Sequence, residues 1–235
     1  MKIVSVAGTK KTGKTTLVTR LIRELVKRGF RVGTIKNTHS KLDIEGKDTW
    51  KHREAGAQMV VGVGEETVFI IDETLELDDI IRKMECLREL DFLVIEGFKT
   101  SPYAKIATSD LPGPLVLARV EVEKVDEEEL KALTDLVETR TFGLLANMDC
   151  QECGYTSCQK MSEAVVQGET GEDVCVMKKL ENVMLTIDGN KVALNPFVQK
   201  FVKNTFLGMI SSMKIDADEI QDKKIELLIQ NEDNR

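Results

Sequence analysis

The chain has 235 residues, 42% hydrophobic and 31% charged, with a formal net charge of −7. This is the composition of a soluble globular protein with room for one large domain or two modest ones, and its acidic balance argues against nucleic acid as the main partner, because such surfaces need clustered Lys and Arg. No signal peptide is legible after Met1-Lys2, and no apolar stretch nears the ~18 residues of a membrane span, so the sequence predicts a cytoplasmic protein with no membrane contact.

Residues 3–7 are an apolar run that reads as a strand. It leads into Gly8-Thr9-Lys10-Lys11-Thr12-Gly13-Lys14-Thr15, the pattern G-x-x-x-x-G-K-T of a nucleoside-triphosphate phosphate loop. An amphipathic helix is predicted over residues 15–28, with Gly29 as its stop. A strand, a glycine-bounded loop and a helix N-terminus together form an anion site. Its N–H groups would wrap the phosphates, Lys14 would reach the β- and γ-phosphates, and the Thr15 hydroxyl would ligate Mg²⁺. Gly8 and Gly13 supply the backbone freedom for close approach. Gly8, Lys10, Thr12, Gly13, Lys14, Thr15 and Thr16 are therefore the candidate nucleotide-binding residues.

Further along come a strand over residues 31–36, a polar loop over 37–47, and a helix over 49–55. Short strands at 59–63 and 67–71 flank a turn at 64–66, and a helix is expected over 78–88. Residues 92–95 read as a fully buried parallel strand and 115–118 as another, with a helix over 127–136. The alternation predicts an α/β fold, a mostly parallel sheet with helices on both faces, as in P-loop NTPases.

A phosphate loop needs an acid at the end of a neighbouring strand, to hold Mg²⁺ or its waters or to orient an attacking water. Glu96, directly after the 92–95 run, stands there. Asp48 is the second candidate, for Mg²⁺ and for the catalytic step, although by spacing alone both it and Asp43 read as solvated loop acids. The two histidines, His39 and His52, read as surface or hydrogen-bonding residues, Trp50 as packing for its helix, and Cys86 as a small buried hydrophobe.

After about residue 145 the pattern changes. Cys150, Cys153, Cys158 and Cys175 follow the spacing C-x2-C-x4-C-x16-C. In a reducing compartment such a quartet points to a metal centre rather than to disulfides. Gly154 relaxes the chain after the second thiol, and Cys158 is placed near the N-terminus of a helix over 157–166, where the dipole favours thiolate. Four thiols without a histidine fit a [4Fe–4S] cluster, a Cys₄ zinc site being the alternative and a plain structural thiol cluster a third. Zinc ribbons usually pair two C-x2-C knuckles, and only one is present. Two strands at 183–187 and 191–194 around Asp188-Gly189-Asn190, then a helix capped by Asn195 with Pro196 at its first position, complete the prediction. The apolar face Phe197, Phe201, Phe206, Met209 and Met213 reads as core or as a dimer face, so a homodimer is among the expected partners. Residues 225–229 read as a strand or helical turn, and 231–235 as a frayed end. The expected domains are 1–145 (nucleotide), 146–180 (iron–sulfur) and 181–235 (small α+β).

The phosphate loop, Lys36-Asn37-Thr38-His39, Gly46-Lys47-Asp48-Thr49, Ala55-Gly56-Ala57 and Ile95-Glu96-Gly97-Phe98-Lys99 occur in this order. Over roughly residues 1–145 the sequence thereby resembles the molybdopterin-guanine dinucleotide biosynthesis protein B (MobB) family. The resemblance implies a GTP-binding adapter in maturation of the molybdenum or tungsten cofactor, with a molybdopterin nucleotidyltransferase or a molybdoenzyme apoprotein as partner. It also implies Lys14 and Thr15 on phosphate and Mg²⁺, Asp48 and Glu96 completing the site, and Lys10 at a position often basic. The histidine-rich stretch of that family is reduced to His39, and no Asn-Lys-x-Asp guanine signature is present. Guanine preference thus rests on the resemblance, ATP is not excluded, and slow GTP hydrolysis stays open. The cysteine segment is similar to the short iron–sulfur domain of electron-transport complex B subunits and corrinoid iron–sulfur proteins, with Val176 where proline is common. The competing readings are a nucleotide-dependent metal or cluster carrier for another metalloenzyme, and an electron-transfer module in which the loop is regulatory.

Overall fold

The computed structural model describes residues 1–235 apart from 39, 146, 180–182, 184, 188–189, 193, 214–224 and 226–235. The expectations for His39, for the turn at 188–189, for residues 226–229 and for the chain end at 231–235 lie outside the described residues. The described contacts divide the chain into two compact units, Met1–Val174 and Cys175–Arg235.

In the first unit the order is β1 (Lys2–Ala7), α1 (Lys14–Lys27), β2 (Val32–Lys36), α2 (Asp48–Glu54), β3 (Met59–Val63), β4 (Thr67–Ile71) and α3 (Leu77–Leu87). Then follow β5 (Phe92–Glu96), β6 (Ala104–Ala107), β7 (Val116–Arg119), α4 (Glu127–Thr139), α5 (Cys158–Gln167) and a 3₁₀ turn at Glu172–Val174. Five strands form one sheet in the order β2-β5-β1-β6-β7, and every pair in it is parallel. The strands alternate their side chains between two covered faces, which is why the runs read as continuously apolar. On one face Val4, Val6, Val94 and Ile106 pack with Leu17, Leu21 and Leu25 of α1 and with Leu130, Leu133 and Val137 of α4. On the other, Ile3, Leu93 and Ile95 are fully buried, and Met84 of α3 lies close enough to Gly33 that a Cβ there would fall 3.0 Å from its Cε. Burying such side chains contributes roughly 1.5–3 kcal/mol each. The fold is the P-loop NTPase architecture, with helices on both faces of a parallel sheet.

Strand β6 is the element that the sequence concealed. Its sequence Ala-Lys-Ile-Ala is buried at all four positions, and it fills the gap between β1 and β7. Lys105 interrupts the apolar pattern, yet its ammonium is satisfied inside the fold by the carbonyls of Ser101 and Tyr103. Burial pushes the Lys105 amine below its ordinary pKa. Strands β3 and β4 stand outside the main sheet as an antiparallel hairpin. Cys86, expected inside, is exposed on α3, because the buried stripe of that helix runs through Ile81 instead.

The second unit contains α6 (Val176–Lys179), β8 (Leu185–Ile187), β9 (Asn190–Val192) and α7 (Pro196–Ser211). Asn195 caps α7 by accepting from the Val198 amide at 2.9 Å, as its sequence predicts. Of the apolar face of α7, Phe197, Phe201, Met209 and Met213 are exposed and Phe206 is half-buried. Among the described residues no helix is long and apolar enough to cross a membrane.

Candidate functional site

The phosphate loop leaves the buried carboxyl end of β1 and enters α1 through Gly13, which caps the helix in the left-handed region at φ 75°. A side chain there would strain the backbone and press on Val122, whose Cβ lies 2.9 Å from an added Cβ. At Gly8 an added Cβ would fall 2.1 Å from Thr108 Oγ1, so this position is closed to any side chain. Thr12 ties the loop down, donating to the Thr9 carbonyl at 3.0 Å and sharing a hydrogen bond with the Thr108 hydroxyl at 2.7 Å. The Thr9 amide donates to Ser109 Oγ at 3.2 Å, and the Lys14 ammonium to the Thr9 carbonyl. No side chain caps α1 and its first turn carries no acid. Its first amides and the positive end of its dipole therefore face the loop, the arrangement that binds phosphate. Lys10 and Thr16 are exposed on the loop and on the first turn.

Glu96 closes β5 next to this loop. Its register partners are Val6 on β1 and Lys36 on β2, so the carboxyl ends of three strands meet at one point. The Thr15 hydroxyl donates to Glu96 Oε1 at 2.8 Å, and Lys36 Nζ donates to the same oxygen at 3.0 Å. The chain turns sharply beyond it, with Gly97 at φ 107° and Phe98 at φ 49°. Ser5 Oγ donates to the Gly97 carbonyl at 2.8 Å and the Asn37 amide to the Glu96 carbonyl at 2.9 Å. Glu96 is thus held by backbone on both neighbouring strands, with its side chain only 12% exposed. Lys36 escaped the sequence reading of the site. The signal was its place as the last residue of a strand flanking the phosphate-loop strand, where α/β sheets bind ligands.

Asp48 stands on a different element. It opens α2 with its side chain 87% exposed and pairs with Lys51 at 3.0 Å. That hydrogen bond with Lys51 holds the carboxyl below its ordinary pKa. Asp43 reverses its expected role as a solvated acid, since its side chain is only 4% exposed. The Thr49 hydroxyl donates to Asp43 Oδ1 at 3.0 Å. Arg53 approaches Asp43 Oδ2 to 3.5 Å and Asp72 to 3.7 Å, although among the described residues Oδ2 accepts no hydrogen bond. This cluster fixes the 37–47 loop onto α2. His52 is exposed and Trp50 half-buried on the same helix.

Cys150, Cys153 and Cys158 lie in the first unit, where the chain at 147–154 is a loop of unusual backbone, and Cys175 opens the second unit. Asn147, Asp149 and Gln151 have positive φ, as does Gly154 at 83°. Cys150, Cys153 and Cys158 are half-buried, and Cys175 is buried. Cys158 is the first residue of α5, capped by Ser157, and its amide donates to Asp149 Oδ1 at 2.7 Å. Burial pushes the Cys158 thiol pKa up. Four sulfur donors without histidine suit a thiolate-held centre by chemistry. Among the described residues, however, no three His, Cys, Asp or Glu side chains stand close enough to hold one metal ion.

Fold, loop and the Thr15–Glu96 pair define a P-loop NTPase domain. Residues 3–112 match the family described as molybdopterin guanine dinucleotide synthesis protein B, so the P-loop domain of this chain is similar to that family. A second family, provisionally described as Fe-S cluster, matches residues 145–177. The chain is 28% identical to a provisionally named molybdopterin-guanine dinucleotide biosynthesis adapter protein of Methanocaldococcus jannaschii, covering 91% of this chain and 92% of that protein. The molybdopterin-guanine dinucleotide biosynthesis adapter protein of Escherichia coli is 36% identical over 111 residues, 44% of this chain and 63% of its own length. The one of Haemophilus influenzae is 37% identical over 110 residues, 44% and 61%. The chain thus spans less than two thirds of either bacterial protein. A crystal structure of a MobB homolog from Bacillus stearothermophilus is 25% identical, covering 59% of this chain and 99% of that one with a TM-score of 0.44.

Proposed function

We propose that this protein is a GTP-binding adapter in the biosynthesis of the guanine dinucleotide form of the molybdenum or tungsten cofactor, carrying a [4Fe–4S] cluster on its cysteine segment. The observation that carries the reading is the Thr15 hydroxyl held on Glu96 at 2.8 Å beside the phosphate loop, in a domain matching that family over residues 3–112. Lys14 and the loop amides would hold the β- and γ-phosphates. Thr15 and Glu96 would hold Mg²⁺, which would neutralise charge on the phosphates. Asp48 belongs to this set by motif order, and its exposed side chain at the start of α2 leaves it open to a ligand. A cleft of about 640 Å³, lined by Thr108, Ser109, Asp110, Arg119 and Glu121 among others, adjoins the loop through the Thr9–Ser109 hydrogen bond. The family resemblance supports a molybdopterin nucleotidyltransferase or a molybdoenzyme apoprotein as partner.

Cys150, Cys153, Cys158 and Cys175 would hold the cluster as thiolates. A bound cluster would supply a one-electron centre. The match of residues 145–177 to an Fe-S family and the single C-x2-C knuckle support this over zinc. The full chain, purified without oxygen, is expected to retain GTP, to carry roughly four iron and four sulfide per chain, and to capture a molybdopterin nucleotidyltransferase. Retained ATP would overturn the guanine assignment, and stoichiometric zinc without sulfide would overturn the cluster.

A further inference from the structure

The Lys36 ammonium occupies a position that the nucleotide reading leaves unexplained. It sits 3.0 Å from Glu96 Oε1 and 3.5 Å from Thr15 Oγ1. Those are the two oxygens that a phosphate-loop Mg²⁺ would need. Lys36 comes from the last position of β2, in register with Glu96, so the parallel pairing of β2 with β5 delivers it there. Its side chain is 53% exposed while that of Glu96 is 12% exposed, so the carboxylate is rigidly embedded and the ammonium lies on the open side.

From this geometry we infer that Lys36 is a resident counter-cation of the metal position, which keeps Thr15 and Glu96 aligned before metal arrives and is displaced by Mg²⁺. The inference rests on the nucleotide-site reading above. Two cations cannot share the pair, because they would stand within a few ångström of each other and repel. Mg²⁺ binds oxygen at about 2.0–2.1 Å, closer than the ammonium stands, so the exchange swaps a flexible charge for a compact one. The Thr15 hydrogen bond survives the exchange. Its proton already points at Glu96, which leaves the hydroxyl lone pairs for the metal. Lys36 therefore sets how much free metal the site demands.

The test is Mn²⁺ binding to the nucleotide-free full chain, followed by electron paramagnetic resonance. Lys36→Met removes the charge with little change of shape and is expected to bind Mn²⁺ at least ~10-fold more tightly than wild type. Lys36→Arg, which keeps a cation, is expected to stay near wild type. Equal or weaker Mn²⁺ affinity in Lys36→Met would overturn the inference. A purely structural role would lower the melting temperature of Lys36→Met without tightening the metal. Amine labelling of Lys36 in the wild-type chain gives a second reading that needs no variant. The labelling should rise when Mn²⁺ saturates the site, and an unchanged footprint counts against displacement. Nucleotide binding by the wild type separates the two levels. If it is present while Mn²⁺ affinity is insensitive to Lys36, only this inference falls; if it is absent, the nucleotide-site reading falls as well.

Discussion

At the scale of single residues, the site is governed by what each side chain can reach. Glu96 and Asp48 have the same chemistry and occupy adjacent roles in the motif order, yet one is embedded at the junction of three strands and the other stands 87% exposed beside Lys51. Asp43, which looks the more dispensable in the sequence, is the buried acid that holds a loop to α2 through Thr49 and Arg53. Lys14 is the residue whose loss should matter most for nucleotide. A hydrogen bond to a charged group contributes about 1.5–3 kcal/mol, so Lys14→Ala is expected to weaken GTP binding by roughly ten- to a hundredfold. Calorimetric titration checks this, and unchanged affinity would remove the loop from the binding site. The same variant should keep its iron, since among the described residues the Lys14 ammonium bonds to Thr9 of its own loop.

At the scale of elements, the approach of β2 to β5 places Lys36 on Glu96, and the other end of that strand pair is fastened by charge. The Arg31 amide donates to Asp91 Oδ2 at 2.8 Å, and the guanidinium grips both carboxylate oxygens at 3.0 and 3.1 Å. Hydrogen bonds from Arg31 hold the Asp91 carboxyl well below its ordinary value, at about 2. A folded-state pKa below the unfolded value of ~3.9 stabilises the fold above that value, and this contribution is lost as the pH falls through about 2. Asp91→Asn should therefore melt below wild type at pH 7, with the gap narrowing below about pH 3. Circular-dichroism melts at several pH values test it, and a gap constant with pH would show that the ionised pair is not the cause. Both side chains are partly exposed, so the effect should be modest and weaken with salt.

At the scale of the whole molecule, a phosphate-loop unit and a thiol-rich segment share one chain. Cys158→Ser is expected to abolish the broad absorbance near ~400 nm of a thiolate-ligated iron cluster while leaving GTP affinity intact, because no described contact links Cys158 to the phosphate loop. Full absorbance in that variant would remove Cys158 from the ligand set. The phosphate loop, most of the strands and helices, Glu96 and the cysteine spacing were all legible in the amino-acid order. Each depends on short-range rules: glycine conformations, apolar periodicity, and the distance over which a chain folds back on itself. What tertiary structure alone decided is which polar side chains are buried and satisfied, and which strands are paired. Strand β6 was hidden because Lys105 breaks its pattern and is satisfied only by carbonyls that the folded loop brings round. Asp43 became a buried anchor and Asp48 an exposed one because burial depends on which helix covers the loop. Lys36 entered the site because parallel pairing sets β2 against β5, a register that depends on residues 60 positions apart.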